Sequence, residues 1–352
     1  MVKDNLACIL HKEYDIRMEQ KPIPVPKEGE VLLEMGCVGI CGSDVHYYEH
    51  GRIADYIVTK PMTIGHEASG TVVKLGPGVK HLKPGDRVAI EPGVPCRCCS
   101  FCKEGRYNLC YDVIFCATPP HDGNLSRFYT HAADFCYKLP DHLSLQEGAL
   151  LEPLAVGVHA CKRSGVGLGT SVLVLSAGPI GLVTILAAKA YGARVICVTR
   201  SLVRLNMAKE CGADAIIQVK DYDKEGSALI PKIHAALGGA PEVTIDCTGL
   251  ATCLTLGINV TRPGGKVMMV GMGPESISIP MVNACSKEID ILSCFRYAND
   301  YPTALEMVAS GKCPVTKLIT HNFKLEEAVD AFKTASKKSD DTIKIMIHCR
   351  SG

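Results

Sequence analysis

From about residue 157 the chain settles into a rhythm that few folds accommodate. "SVLVLSAG" reads as a buried strand, "PIGLVTILAAKAYGA" has helical spacing and ends at Gly192, and "RVICVT" is a second strand. The helix "SLVRLNMAKECGA" and the run "AIIQV" follow. The pattern continues through "VTIDCTG", "ATCLTLGINVTRPGG" and "KVMMVGMG", and closes at "IDILSCF". Strands alternating with helices of this length call for a parallel, doubly wound sheet, with the crossover helices on its faces. None of these strands alternates apolar with polar residues, as burial on both faces requires. An α/β unit is therefore expected at residues 157–295.

Two features make it a Rossmann-type dinucleotide-binding unit. "SAGPIG", Ser176 to Gly181, follows a strand and opens a helix, the context that gives a glycine pattern weight. Gly178 lets the backbone approach a pyrophosphate, and Gly181 permits close packing of helix on strand. The helix start offers free N–H groups and a positive dipole end. Ser176 replaces the first glycine of the usual G-x-G-x-x-G, so it either fits at negative φ or carries strain.

The second feature is the strand end: Thr199, Arg200 and Ser201, with Arg204 one turn on. An NAD site carries an acid here for the ribose 2′-hydroxyl; for NADP the acid goes and an Arg takes the 2′-phosphate. Thr199 repels no phosphate, and Ser201 adds a hydroxyl at the helix start. The planar forks of Arg200 and Arg204 match phosphate oxygens. A solvated surface pair of arginines is the alternative, but it leaves the missing acid unexplained. The expected cofactor is NADP(H).

The first half is different: "EVLLEMGCVGI", "SGTVVKLGPGV" and "GDRVAIEPG" are short β-like runs punctuated by Pro and Gly, the mark of a β-rich domain. After residue 295 come two helical segments, "DYPTALEMVASG" and "LEEAVDAFKTASK", and a strand, "TIKIMIHC". This tail is expected to return to the first domain, giving residues 1–156 with 296–352, and 157–295 between. A chain of 352 residues suits two cores.

A net charge of +1 with interspersed signs argues against a nucleic-acid partner. The N-terminal stretch lacks a secretory pattern, and no apolar run is long enough to cross a bilayer. The expectation is a cytoplasmic protein with no membrane partner. Nineteen cysteines in such a chain then point to thiols and metal rather than disulfides. Cys161, Cys197, Cys247 and Cys294 sit alone in apolar stretches and read as small buried hydrophobes.

"PCRCCSFCKEGRYNLC" is another matter. Cys96, Cys99, Cys102 and Cys110 match a closed tetrahedral zinc site, with Cys98 left over. A nucleic-acid-binding zinc module, an iron–sulfur site and a redox thiol cluster are the alternatives; charge disfavours the first, and the spacing does not match ferredoxin runs. A second, dispersed set comprises Cys41, Ser43, His46, Tyr47 and His50 in "GICGSDVHYYEHG", His66 and Glu67 in "GHEASG", and Glu152 in "LLEPLAVGVHA". Cys, His and Glu are zinc ligands, and a catalytic zinc keeps three of them plus an exchangeable position.

In this order these motifs resemble the zinc-containing medium-chain dehydrogenases. "GHEASG", "FCATPPHDGNL", "YKLPDHLSLQEGALLEPLAVGVHA", "AGPIG" and "FRYANDYPTALEMVASG" look like the sorbitol dehydrogenase branch over essentially the whole chain. The basic strand end is similar to its NADP(H)-dependent ketose reductase form. The resemblance implies a β-rich GroES-like catalytic domain beside the Rossmann domain. It implies Cys41, His66 and Glu67 as ligands of a catalytic zinc, and the four cysteines as a structural zinc site. It implies Ser43 and Glu152 in catalysis, Glu152 holding the metal's water or approaching the metal itself. Tyr47, Glu152, Arg296 and Tyr297 are implied to line a polyol pocket. Pro179, Ile180, Val270, Met272 and Arg296 join Gly178, Gly181, Thr199, Arg200, Ser201 and Arg204 as implied cofactor residues. A homotetramer is implied as well. His46, His50 and His159 match no such role and read as satisfied structural histidines.

The expected reaction is interconversion of a ketose and a polyol by hydride transfer with NADP(H). Its rivals are an NAD-linked sorbitol or xylitol dehydrogenase and, from another class, a non-catalytic structural zinc protein. The carboxylates Glu67 and Glu152 beside Cys41 and His66 speak against the last, which needs no open site.

Overall fold

A computed structural model describes residues 4–220 and 226–350 of the chain. They divide into two compact units, one running to Glu152 and resuming at Ile319, the other spanning Pro153–Leu318.

In the second unit, six strands form one sheet: Ser171–Leu175, Arg194–Thr199, Ala215–Gln218, Val243–Asp246, Lys266–Met269 and Asp290–Ser293. Counted in that order, they lie 3-2-1-4-5-6 across the sheet, and each neighbouring pair is parallel. The order reverses beside the first strand, which opens a crevice at the carboxyl ends where this arrangement binds its ligand. Ser171–Leu175 and Val243–Asp246 are buried throughout, whereas the edge strand Asp290–Ser293 is half-buried to exposed. Leu173, Leu175, Ile196, Val198, Ile233 and Leu256 pack one core of this unit; each such side chain contributes about 1.5–3 kcal/mol by leaving water.

Residues 296–318, placed in the first domain by sequence, group with this second unit, as do residues 153–156. Buried polar links tie the segment there. His159 Nδ1 bonds Asp300 Oδ2 at 2.7 Å, and the Cys313 thiol donates to the Leu186 carbonyl at 3.5 Å. Asp300 is fully buried, so it depends on this partner and on Lys162 at 3.3 Å.

The first unit is built on a seven-stranded sheet. Across it run Cys136–Lys138, Arg87–Ile90, Glu67–Leu75, Glu30–Gly39, Lys344–His348 and Ile319–Lys324, and Phe128–Ala132 also pairs with Glu30–Gly39. Lys344–His348 lies antiparallel to Glu30–Gly39 and parallel to Ile319–Lys324, so the end of the chain completes a sheet begun at its start. Val31, Leu33, Met35, Ile90, Phe332 and Ile345 belong to its core.

Candidate active site

Cys41 caps the helix Gly42–His50, and its own backbone N–H donates to Asp44 Oδ2 at 3.0 Å. The helix ends at Gly51 in the left-handed region, φ +64. His66 lies just before the strand Glu67–Leu75, and Glu67 is that strand's first residue. Two pieces of backbone, the cap of this helix and the entry to the strand, thus bring the Cys41 sulfur, a His66 nitrogen and a Glu67 oxygen within 4.8 Å of one another.

Two residues the sequence reading passed over hold this set in place. Asp44, 1% exposed, lies 3.3 Å from His66 Nδ1 through Oδ1, which also accepts from the Gly65 N–H at 3.3 Å. Fixed at Nδ1, the imidazole has Nε2 left for an ion, an orientation typical of metal-binding histidines. Its signal was present: an acid three residues after a capping residue closes a capping box. Lys344, 3% exposed, donates to both oxygens of Glu67 at 2.7 Å and to the Ile40 carbonyl at 3.1 Å. Its signal was a lone charge inside the apolar strand "KIMIH".

Strand register explains how Lys344 reaches Glu67. Gly39 is paired with Glu67 on one side and with Met346 on the other. A Cβ on Gly39 would stand 2.2 Å from Glu67 Oε2, so the missing side chain is what allows the carboxylate to lie across this strand.

Burial works against protonation of His66, but the Asp44 and Cys41 charges outweigh it and hold its pKa well above the usual imidazole value. An ion bound at Nε2 would have to displace that proton. Thiolate, imidazole and carboxylate are three donors of the kinds a catalytic zinc takes, and they fit such an ion. Glu152, 6% exposed, stands outside the trio, though its charge acts on Lys344 together with those of Glu67 and Cys41. Ser43 and the buried Tyr47 are four residues apart on the capped helix and share a face. His46 Nδ1 bonds the Arg52 carbonyl at 2.7 Å, and its ring meets His50 edge-on at 4.6 Å.

The second cluster is local. Sγ atoms of Cys96, Cys99, Cys102 and Cys110 lie within 4.8 Å of one another, with Cys99 and Cys102 3.4 Å apart. The backbone N–H groups of Cys98 and Cys99 point at Cys96 and lower its thiol pKa to about 6. Four converging sulfurs fit a closed zinc site. Tyr107, inside the loop, donates to the buried Glu91 at 2.5 Å, and Tyr137 donates to its other oxygen at 2.8 Å.

In the second unit, Gly178 caps the helix Pro179–Ala190, with Pro179 and Ile180 in its first turn. Ser176 has φ +94, the strained alternative, and its N–H donates to the Val198 carbonyl at 2.9 Å. Its Oγ accepts from the Gly178 N–H at 3.1 Å. Such a backbone costs about 1–3 kcal/mol for a residue with a Cβ. Gly181 has no alternative, since a Cβ there would lie 2.1 Å from the Ser176 carbonyl oxygen. The Ser176–Val198 bond sets this turn beside the next strand's end. There Ser201 caps the helix Leu202–Glu210 by accepting from the Arg204 N–H at 3.4 Å, and Arg200 is exposed. The Val270 N–H donates to the Asp246 carbonyl at 2.8 Å, and Met272 is 73% exposed. Arg296, at φ +53, carries its guanidinium 4.8 Å from the Phe295 ring; Tyr297 is buried against Tyr301. Both belong to the second unit.

Among the isolated cysteines, Cys161 and Cys197 are fully buried, while Cys247 and Cys294 are partly so. Burial raises all four thiol pKa values. No helix among the described residues is long and apolar enough to cross a membrane.

Residues 27–141 match the family model of the alcohol dehydrogenase GroES-like domain, and residues 179–310 that of the zinc-binding dehydrogenases. The chain is 56% identical to sorbitol dehydrogenase of Rattus norvegicus over 98% of its own length and 96% of the relative's. The Gallus gallus sorbitol dehydrogenase is 53% identical with the same coverage. Among solved structures, an oxidoreductase/dehydrogenase of unknown specificity from Escherichia coli superposes with a TM-score of 0.92 at 37% identity, covering 99% of this chain and 100% of that one. With its α/β architecture, its open trio of donors and relatives of this closeness, the chain belongs to the zinc-containing medium-chain dehydrogenase family.

Proposed function

We propose that the protein interconverts a ketose and a polyol of the D-fructose and sorbitol type, using NADP(H). The polyol part is supported by identity above half to proteins named sorbitol dehydrogenase. The cofactor part is carried by one observation. At the strand end beside the glycine turn stand Thr199, Arg200 and Ser201, with Arg204 one helical turn on, and no acid among them.

Cys41, His66 and Glu67 would hold a zinc ion that would supply Lewis acidity at the substrate oxygen, and a nicotinamide cofactor would supply the hydride chemistry. The chain's own residues do the rest. Asp44 keeps His66 in one orientation, and Lys344 holds Glu67 in place through both carboxylate oxygens at 2.7 Å. Ser43 and Glu152 move the proton that the substrate oxygen gains on reduction and loses on oxidation. Tyr47 offers a hydroxyl to the remote hydroxyls of the substrate, whose positioning lowers the barrier. The first turn of the helix Pro179–Ala190 would receive the cofactor's pyrophosphate on the N–H groups of Ile180 and Gly181, which point out of the helix start. Arg200 and Arg204 take the 2′-phosphate, with the Ser201 hydroxyl adding a donor.

Fructose reduction is to be assayed with NADPH and NADH side by side. NADPH is expected to show the lower KM. Replacing Arg200 and Arg204 by Ala should raise that KM roughly 10- to 100-fold, the worth of one or two charge-assisted hydrogen bonds, with little change for NADH. Equal KM values for the two cofactors sink the NADP(H) assignment. Turnover of ethanol comparable to that of sorbitol sinks the polyol assignment.

A further inference from the structure

A tetrahedral ion takes four sulfurs, and the lobe offers five. Cys98 is the fifth. It is exposed, whereas Cys96, Cys99 and Cys102 are half-buried and Cys110 is buried. Its Sγ lies 3.6 Å from that of Cys96. The residue between them, Arg97, is in the left-handed region at φ +65, which folds the chain back so that both sulfurs emerge on one side. Arg97 is locked in that turn: its guanidinium makes two bonds to Asp134, at 2.9 and 2.8 Å, and stands 5.5 Å from the Phe135 ring centre.

We propose that Cys96 and Cys98 are a redox-labile pair: oxidation by a hydroperoxide joins them in a disulfide and releases the metal held by the lobe. The proposal rests on reading the four-cysteine cluster as a zinc site. A thiolate bound to an ion shares its lone pairs with that ion, whereas Cys98 keeps its own and faces solvent, so it meets the oxidant first. The Cys98 thiol, which donates to Cys96, gives up its proton to solvent as its sulfur attacks one peroxide oxygen, breaking the O–O bond to give a sulfenic acid and hydroxide. The Cys96 thiolate then attacks the Cys98 sulfur, forming the S–S bond and expelling the sulfenic oxygen as a second hydroxide. In net terms, two thiols and one hydrogen peroxide become a disulfide and two waters; the sulfurs lose two electrons and the peroxide gains them. The sulfurs must approach by about 1.5 Å to reach bonding distance, which side-chain rotation supplies. Cys96 then no longer offers a thiolate, and three donors remain where a closed site needs four. Cys99 and Cys102 are closer, at 3.4 Å, but both are ligands and neither is exposed.

The test uses the zinc-loaded protein, its metal counted before any oxidant is added. Hydrogen peroxide is then supplied in small excess beside a chromogenic zinc chelator. About one zinc per chain is expected to leave, and dithiothreitol with added zinc should restore it. Trypsin cuts after Arg97, so the new bond reads in mass spectrometry as a cross-link between the Cys96 and Cys98 peptides. Cys98→Ser should keep its zinc when untreated, release it at least tenfold more slowly under peroxide, and show no such cross-link. Zinc release from Cys98→Ser at the wild-type rate, or a Cys99–Cys102 bond in its place, overturns the proposal. An untreated protein that loses no zinc on Cys102→Ser overturns the reading of the lobe itself, independently of the peroxide result and of the polyol assignment.

Discussion

Cys96, Cys99, Cys102 and Cys110 come from fifteen consecutive residues and are bridged by a loop with little core of its own. Cys41, His66 and Glu67 come from a helix cap, a loop end and a strand, and are kept in register by Asp44, by the bare backbone of Gly39 and by Lys344. The first cluster is specified by spacing and satisfies itself. The second exists only once the sheet has formed. Closed and open metal chemistry would follow from that contrast. Sulfurs near one another in the chain can surround an ion completely, whereas donors fixed by separate elements can be held to three and leave a position for a substrate oxygen.

Removing one donor from each cluster should break the symmetry most visibly. Cys41→Ala is expected to remove one zinc and lower kcat by about three orders of magnitude, since Lewis-acid stabilisation supplies several kcal/mol. Cys102→Ala should also remove one zinc yet leave kcat within a few-fold, with the loss appearing as a lower melting temperature. Metal counting beside steady-state kinetics on both variants decides it, and equal losses of kcat contradict the division of roles.

A second experiment probes the dependence on the fold. Lys344→Met leaves the Glu67 carboxylate buried without its cation, and should cost about 3–5 kcal/mol in a denaturant titration. Lys344→Arg keeps the charge and should recover part of that loss. Gly39→Ala, which presses a methyl group on Glu67, should weaken zinc binding at the open site while sparing the lobe. Stability unchanged in Lys344→Met would mean that Glu67 finds another partner.

The smallest effect concerns the floor beneath the lobe. His131, buried and bonded to the Glu91 carbonyl at 2.8 Å, has its pKa lowered to about 4, chiefly by burial. In the unfolded chain the same imidazole takes a proton near pH 6.5. Between these values the unfolded state binds more protons, so stability falls as pH drops from about 6.5 to about 4, by about 3 kcal/mol in all. His131→Gln should flatten that part of the stability curve. A curve that keeps its slope in the variant would move the titration to other groups.

The parallel sheet was legible because its strands are apolar on both faces and its helices fall between them at regular intervals. The donor residues were legible because Cys, His and Glu are conspicuous and their motifs match a known family. Asp44, Gly39 and Lys344 were not, since their importance lies in register: a lysine in "KIMIH" signals that something buried must answer it, but not that the answer is 277 residues away. The return of the chain at Ile319 rather than at residue 296 has a similar origin. Nothing in "FRYANDYPTALEMVASGKC" shows that Asp300 serves His159 or that Cys313 reaches the Leu186 carbonyl.

That lysine has a consequence for biosynthesis. A ribosome has released every sulfur of the lobe once residue 110 has cleared the exit tunnel, so the four sulfurs are available before the parallel-sheet unit has been made. The counter-charge for Glu67 arrives only with residue 344, after the residues of the parallel-sheet unit have been made. The order of synthesis thus places the whole of the second unit before the last buried partner of Glu67.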